Sequence, residues 1–280
     1  MDGTHRATTN NFSVYVDDDD SDLYGDRDVP LKSDITRDGN DVGIQVEPDE
    51  TAPIAQPIQH RSISRQVIAS AQHVPAINTV EAIQFYTNAI LNNEVPLISP
   101  DLTYIEKLGF TDDVKAFNDL LSGLDIWALV NHKWVSELVN WVKGNSCLEV
   151  MSGNGFLAKA LKQNGVEVIA TDDRSWDDPD SDKIRFYDVE TLDAIDAIKK
   201  YSDKKVLIMS WPPPNVSVSY DVLKAWGSEK PVIFIGDKKG GMTACDDFYS
   251  HFKAIDEQPV KSYLPAHNAQ DTVLIGYYVP

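Results

Sequence analysis

The chain has 280 residues, long enough for one large domain, or one domain with attachments, around a substantial core. Its formal charge of −19 repels nucleic acid and anionic membranes at long range, and no Lys/Arg cluster offers a local basic groove, so nucleic acid is disfavoured as substrate. Two cysteines and six scattered histidines without ligand spacing, no apolar run of membrane-spanning length and no signal-peptide core point to reduced thiols, no metal site and a cytoplasmic location.

Residues 1–60 hold 14 Asp plus Glu against 4 Lys plus Arg, with an acidic run from Asp17 to Asp20. Short apolar islands such as Phe12–Val16 bury too little surface to offset the entropy of ordering the stretch, which reads as a disordered acidic tail. Its functional reading is a docking arm for a basic partner, and the alternative is a solvated leader. Residues 61–125 read as a helical extension or lid. Asn78-Thr79-Val80-Glu81 has the form of a capping box and opens an amphipathic run through Ala82, Ile83, Phe85, Tyr86, Ile90 and Leu91. Ser99-Pro100-Asp101 marks a second start, with proline in the first turn, leading to Tyr104, Ile105 and Leu108. A third helix runs from Thr111 through Val114, Phe117 and Leu121 to a stop at Gly123.

From Ile126 to the end at 280 the pattern alternates. Asn131 is placed to cap a helix that buries Trp134, Val135, Leu138 and Val142. Cys147 to Val150 reads as a buried strand, Ser152-Gly153-Asn154-Gly155 as a tight turn, and Phe156 to Gln163 as a helix. Strands are expected at Val166–Thr171, Ile184–Tyr187, Val206–Met209 and Val232–Ile235, with helices near residues 191–200, 220–226 and 246–252. The continuous apolar run Val206–Met209 suits a central parallel strand covered on both faces. Val260–Leu264 and Thr272–Val279 lack an intervening helix and suit an antiparallel C-terminal hairpin at the sheet edge. The fold class is therefore α/β, a doubly wound, mostly parallel, Rossmann-like sheet with a helical N-terminal extension.

Strand, glycine turn and helix in that order place backbone N–H groups at the mouth of the sheet, where a polar, often anionic, ligand is commonly held. Gly153-Asn154-Gly155-Phe156-Leu157-Ala158 fits the dinucleotide fingerprint, and Asp172 follows nineteen residues after Gly153. Glu149, four residues before Gly153, tilts the choice. The stretch resembles the first motif of the class I S-adenosylmethionine-dependent methyltransferases, acidic-x-Gly-x-Gly-x-Gly, with Met151 where the family has its first glycine. The resemblance implies that Glu149 orients the loop and the methionine part of the cofactor, and that Ser152, Gly153, Asn154 and Gly155 form the cofactor loop. An antiparallel closing hairpin is also how that family's fold ends.

Asp172 and Asp173 follow the second strand, where a carboxylate can accept hydrogen bonds from both ribose hydroxyls of an adenosine, a role shared by methyl-donor and dinucleotide cofactors. In the family an acidic residue near Asp188 contacts the exocyclic amine of adenine; a helix N-cap is the other reading. Ser210-Trp211-Pro212-Pro213-Pro214 ends the central strand in a turn whose prolines fix the backbone and donate nothing. It resembles the Asp/Asn/Ser-Pro-Pro-aromatic motif of amino-methyltransferases. With Gly236-Asp237-Lys238-Lys239-Gly240-Gly241-Met242-Thr243-Ala244 it resembles an uncharacterised methyltransferase-like branch that pairs a Trp-Pro-Pro turn with such a segment. Asp237 is then a candidate general base or counter-charge, with an N-cap role for Asp237 or Thr243 as the alternative.

The reading is S-adenosylmethionine-dependent methyl transfer to an unidentified acceptor, a small molecule or protein before nucleic acid. The alternatives are an NAD(P)-binding oxidoreductase and a non-catalytic Rossmann-like binding module.

Overall fold

The structure is a computed structural model that describes residues 73–176, 184–238, 241–266 and 270–280. The expected acidic tail over residues 1–60, its docking arm, and Lys239 and Gly240 lie outside the described residues. Three helices come first: α1 (Val80–Leu91), α2 (Leu102–Lys107) and α3 (Thr111–Gly123). Their starts differ in detail from the sequence reading. No capping box forms, because the cap falls on Thr79 rather than Asn78 and Glu81 is then the second residue of α1; the Thr79 hydroxyl donates to the Ala76 carbonyl. Asp101 caps α2 by accepting from the Tyr104 N–H, so Pro100 lies before the cap and not in the first turn. Leu102 and Ile105, three apart, face inward there, which leaves Tyr104 and Leu108 exposed.

The α/β unit follows as α4 (His132–Val142), β1 (Cys147–Val150), α5 (Phe156–Gln163), β2 (Val168–Asp172), β3 (Glu190–Thr191) and α6 (Ala194–Lys200). It continues as β4 (Val206–Ser210), α7 (Val218–Trp226), β5 (Val232–Asp237), α8 (Asp246–His251), β6 (Phe252–Ala254) and β7 (Asp271–Tyr278). The seven strands form one sheet in the order β3-β2-β1-β4-β5-β7-β6. The pairings are parallel except for β7, which runs antiparallel to both β5 and β6.

Two strand expectations need correction. The third strand is not Ile184–Tyr187 but the two-residue β3, and the strand preceding β7 is not Val260–Leu264 but β6. Phe186 and Val260 are buried, as their apolar character requires, yet their segments find other backbone partners. The Phe186 N–H donates to the Asn154 carbonyl, and the N–H groups of Lys261 and Ser262 donate to the Glu137 carboxylate.

Side chains alternate across the sheet with period two, and both faces are covered. On β4, Val206 and Ile208 join a cluster with Trp134, Leu138, Phe156 and Leu161, while Leu207 and Met209 join Leu148, Val222, Phe234 and Phe248 on the other face. Tyr86, Phe117 and Leu121 of the extension belong to the first cluster, and the Tyr86 hydroxyl donates to the Val130 carbonyl. The three leading helices thus enlarge the same core.

Candidate functional site

Strand order reverses between β1 and β4, and in such a sheet the crevice outside the carboxyl ends at that point is where ligands sit. A cavity of about 590 Å³ opens there. Glu149, Met151, Ser152, Gly153, Asn154, Asp172, Asp173, Ser210, Trp211, Pro212 and Pro213 all line it. Segments as much as sixty residues apart in sequence are brought to one wall because β1, β2 and β4 are hydrogen-bonded neighbours.

Left-handed residues alternate with ordinary ones through the glycine turn. Met151 has φ 54°, Gly153 φ 54° and Gly155 φ 76°. Met151 therefore takes a conformation that a glycine adopts without strain. Its side chain packs against the Leu148–Met209 cluster while also lining the cavity. A Cβ on Gly155 would lie 2.6 Å from Val189 Cγ2 and 2.8 Å from Tyr187 Cβ, so only glycine fits. A Cβ on Gly153 would meet nothing within 4 Å, which leaves that side of the turn open for a ligand.

Several N–H groups of this turn are already engaged. Gly153 N–H donates to Asp172 Oδ2 at 2.8 Å, Gly155 N–H to the Ser152 carbonyl and Phe156 N–H to Asn154 Oδ1. Ala158 N–H donates to the Glu149 carboxylate. Asp172 Oδ1 accepts from the Arg174 N–H, and the Arg174 guanidinium in turn donates to the carbonyls of Gly153 and Val189. Acceptors of the chain itself, the carboxylates of Asp172 and Glu149 among them, thus occupy these donors. Each Asp172 oxygen keeps a further acceptor site for a hydroxyl.

Glu149 is 1 % exposed, and its Oε2 has no hydrogen-bond partner among the described residues. Burial, reinforced by the neighbouring Asp172 charge, raises its carboxyl from the ordinary 4.5 to about 8. A buried acceptor left unsatisfied beside a cavity is the place where a donor or a positive charge from a ligand stabilises most. Asp173 lines the cavity at its exposed edge, with Oδ1 accepting from the Ser175 N–H and hydroxyl.

Opposite the glycine turn, Trp211 leaves β4 with φ 52° and donates its N–H to the Ile235 carbonyl at 2.8 Å. The Pro212 carbonyl accepts from Ala244 N–H, which ties the proline turn to the late glycine segment. Asp237 does not line the cavity. Its Oδ2 accepts from the Met242 N–H, its own N–H donates to Thr243 Oγ1, and the Tyr249 hydroxyl donates to its carbonyl. The segment is a stapled loop that presents Met242 to the cavity, and neither Asp237 nor Thr243 caps α8, which Cys245 precedes. Asp188 also stands outside the lining, and Asp193 rather than Asp188 caps α6, accepting from the N–H groups of Ile195 and Asp196.

Several lining residues had no distinct signal in the sequence. Asp125, Ile126, Trp127 and Ala128 form a wall supplied by the end of the helical extension, and Trp176 and Arg185 stand at the β2 side. Asn154 Nδ2 donates to the carbonyls of Leu124 and Asp125 at 2.7 and 3.1 Å, which fixes that wall to the glycine turn. A tryptophan just before a helix cap was the available clue for Trp127, but periodicity alone does not separate a cavity wall from core. The buried Cys147 thiol, raised to about 12 chiefly by burial, stays protonated and is no nucleophile. Among the described residues no group of His, Cys, Asp and Glu is arranged to hold a metal ion, and no helix is long and apolar enough to cross a membrane.

A seven-stranded sheet of this order, with β7 alone reversed and a glycine turn at the switch point, is the Rossmann-like fold of the class I methyltransferases. No protein-family model matches the chain, and no curated protein matches it significantly. Solved structures that are similar include two of a mutant of MtNAS. One aligns at 14 % identity over 53 % of this chain and 61 % of that one, with a TM-score of 0.34. The other, in complex with S-adenosylmethionine, aligns at 15 % identity over 71 % and 77 %, with a TM-score of 0.37. Magnesium protoporphyrin IX methyltransferase (ChlM) from Synechocystis PCC 6803 with bound SAM aligns at 9 % identity over 74 % of this chain and 100 % of that one, with a TM-score of 0.33. The chain spans 61 % of the length of the first MtNAS structure.

Proposed function

We propose that the cavity binds S-adenosylmethionine and that the protein transfers its methyl group to an acceptor held against the proline turn. The observation that carries this reading is the buried Glu149 carboxylate with one unsatisfied oxygen beside the cavity. A ligand bearing ammonium or sulfonium charge compensates it, whereas the pyrophosphate of a dinucleotide meets the opposite field. Among the described lining residues the acids are Asp125, Glu149, Asp172 and Asp173, against the one cation Arg185. The N–H groups that hold pyrophosphate in dinucleotide sites are here donated to Asp172, Asn154 and Glu149. Both features favour the methyl donor over NAD.

In this reading Glu149 faces the methionine end, Asp172 and Asp173 accept from the ribose hydroxyls, and Gly153 lets the ligand approach the backbone. Asp188, outside the lining, has no part in this reading. The cofactor supplies an electrophilic methyl carbon, whose bond to sulfur breaks as the acceptor's lone pair forms the new bond. The chain's part is to orient the two partners and exclude water. Ser210, Trp211, Pro212 and Pro213 form the acceptor side, and Asp237 holds the loop that closes it. A small molecule or protein acceptor fits the acidic surface better than nucleic acid.

The test is transfer of a labelled methyl group from S-adenosylmethionine into fractionated small molecules, proteins and nucleic acids. Label in the small-molecule or protein fraction, lost in Asp172→Ala, is the expected result. Binding of the cofactor without label in any fraction favours a non-catalytic module instead.

A further inference from the structure

We infer that the acceptor is a flat aromatic molecule that is uncharged or cationic, held against an indole wall formed by Trp127 and Trp211. This rests on the reading that the glycine-turn end of the cavity takes the methyl donor. The two indoles come from separate parts of the chain, the end of the helical extension and the end of β4, and meet with ring centroids 6.1 Å apart and planes inclined by 32°. The chain at both positions is held by backbone hydrogen bonds. Trp211 N–H donates to the Ile235 carbonyl, and on either side of Trp127 the Ile126 N–H donates to the Leu121 carbonyl and Val130 N–H to the Ala128 carbonyl.

Trp127 is 42 % exposed, Met242 51 % and Val216 43 %, and all three line the same cavity. Large apolar groups gathered at one mouth mark a surface built to be covered. Aromatic faces favour a flat π-system, stacked at an offset, over an aliphatic ring of equal size. Charge makes the second selection. Among the described lining residues Asp125, Asp172 and Asp173, with Arg185 the one cation, disfavour an anionic acceptor, while indole faces and carboxylates together favour a cation. The inference therefore excludes phosphorylated and carboxylate-bearing acceptors, which the methyl-donor reading alone does not.

The test uses matched probes on the full chain by calorimetry: 1-naphthylmethylammonium, 1-naphthoate and cyclohexylmethylammonium, with S-adenosylmethionine titrated separately. The naphthyl cation is expected to bind about tenfold more tightly than either of the other two. Trp127→Leu brings the naphthyl and cyclohexyl cations to similar affinity, and Trp127→Phe restores the preference. Equal binding of the two cations by the unsubstituted chain, or naphthoate binding as tightly as the naphthyl cation, overturns the inference even if Trp127→Leu fails to fold. Selectivity without S-adenosylmethionine binding contradicts the methyl-donor reading, and the acceptor inference falls with it. Cofactor binding without selectivity overturns this inference alone.

Discussion

At the scale of single residues, two strained positions frame the cavity. Met151 and Trp211 follow adjacent parallel strands, and both hold positive φ although neither is glycine. Such conformations cost on the order of 1–3 kcal/mol each and persist where the surroundings over-determine them. Met151→Gly relieves strain and loses the packing of a half-buried side chain, so its stability is expected within about 1 kcal/mol of the parent. Gly155→Ala instead forces a methyl onto Val189 and Tyr187 at a left-handed position and is expected to cost about 2–4 kcal/mol in urea denaturation. Comparable losses for both substitutions would mean that the turn is not set by these contacts.

Glu149 yields a pH prediction with a definite sign. Its carboxyl is raised from 4.5 to about 8 in the folded chain, and that of Asp271 from 3.8 to about 6, mainly by burial. The ligand-free native state therefore binds more protons than the unfolded state across these windows, and stability falls as pH rises. The contribution of Glu149 is fully present below about pH 4.5 and gone above about pH 8. Glu149→Gln should flatten the decline between pH 6 and 8, as followed by thermal melts, while the Asp271 part remains below pH 6. Unchanged slopes would remove Glu149 from a buried, charge-sensitive position. Gly153 and Asp172 were legible from the turn and the strand end they occupy, and Glu149 through the family resemblance; all three line the cavity. Trp127 and Asp125 were not, since direction toward a cavity is set by tertiary packing.

Among the elements, the sheet's central members could be read directly and its edges could not. A strand covered on both faces is a run of apolar residues, as in Val206–Met209. An apolar run at the edge reports burial only, and Phe186 and Val260 are buried while their backbones bond to a turn and to Glu137. β6, three residues directly after a helix, carries no pattern of its own. Helix starts were legible where a side chain serves one N–H and nothing nearer competes. Asn131 meets that condition: its Oδ1 accepts from Trp134 N–H, its Nδ2 donates to Ser99 Oγ, and that hydroxyl donates to the Leu129 carbonyl. Because the group is buried, Asn131→Ala is expected to cost about 2–3 kcal/mol in chemical denaturation, against about 1 kcal/mol for the exposed cap mutant Asp101→Ala. Equal costs would show that the buried chain of hydrogen bonds adds nothing to the cap.

At the scale of the whole molecule, the helical extension and the sheet are one hydrophobic body with the cavity between them. The extension enlarges the core through Tyr86, Phe117 and Leu121 and lends the cavity its Asp125–Ala128 wall, and Asn154 joins that wall to the glycine turn. Alternation of strands and helices predicted the architecture, but which face the extension would cover depends on contacts far apart in sequence. The net charge acts at this scale too. An acidic chain with an acidic cavity favours cationic ligands at long range, so affinity for one is expected to weaken as salt rises.

The central claim is that the glycine turn and its carboxylates hold a methyl-bearing sulfonium nucleoside. Isothermal titration of the full chain with S-adenosylmethionine, S-adenosylhomocysteine and NAD, near pH 7 in buffers of different ionisation enthalpy, addresses it most directly. The account predicts that the first two bind and NAD does not, with protons released to the buffer as Glu149 ionises beside the bound cation. Binding of NAD alone, or of none of the three, would contradict it.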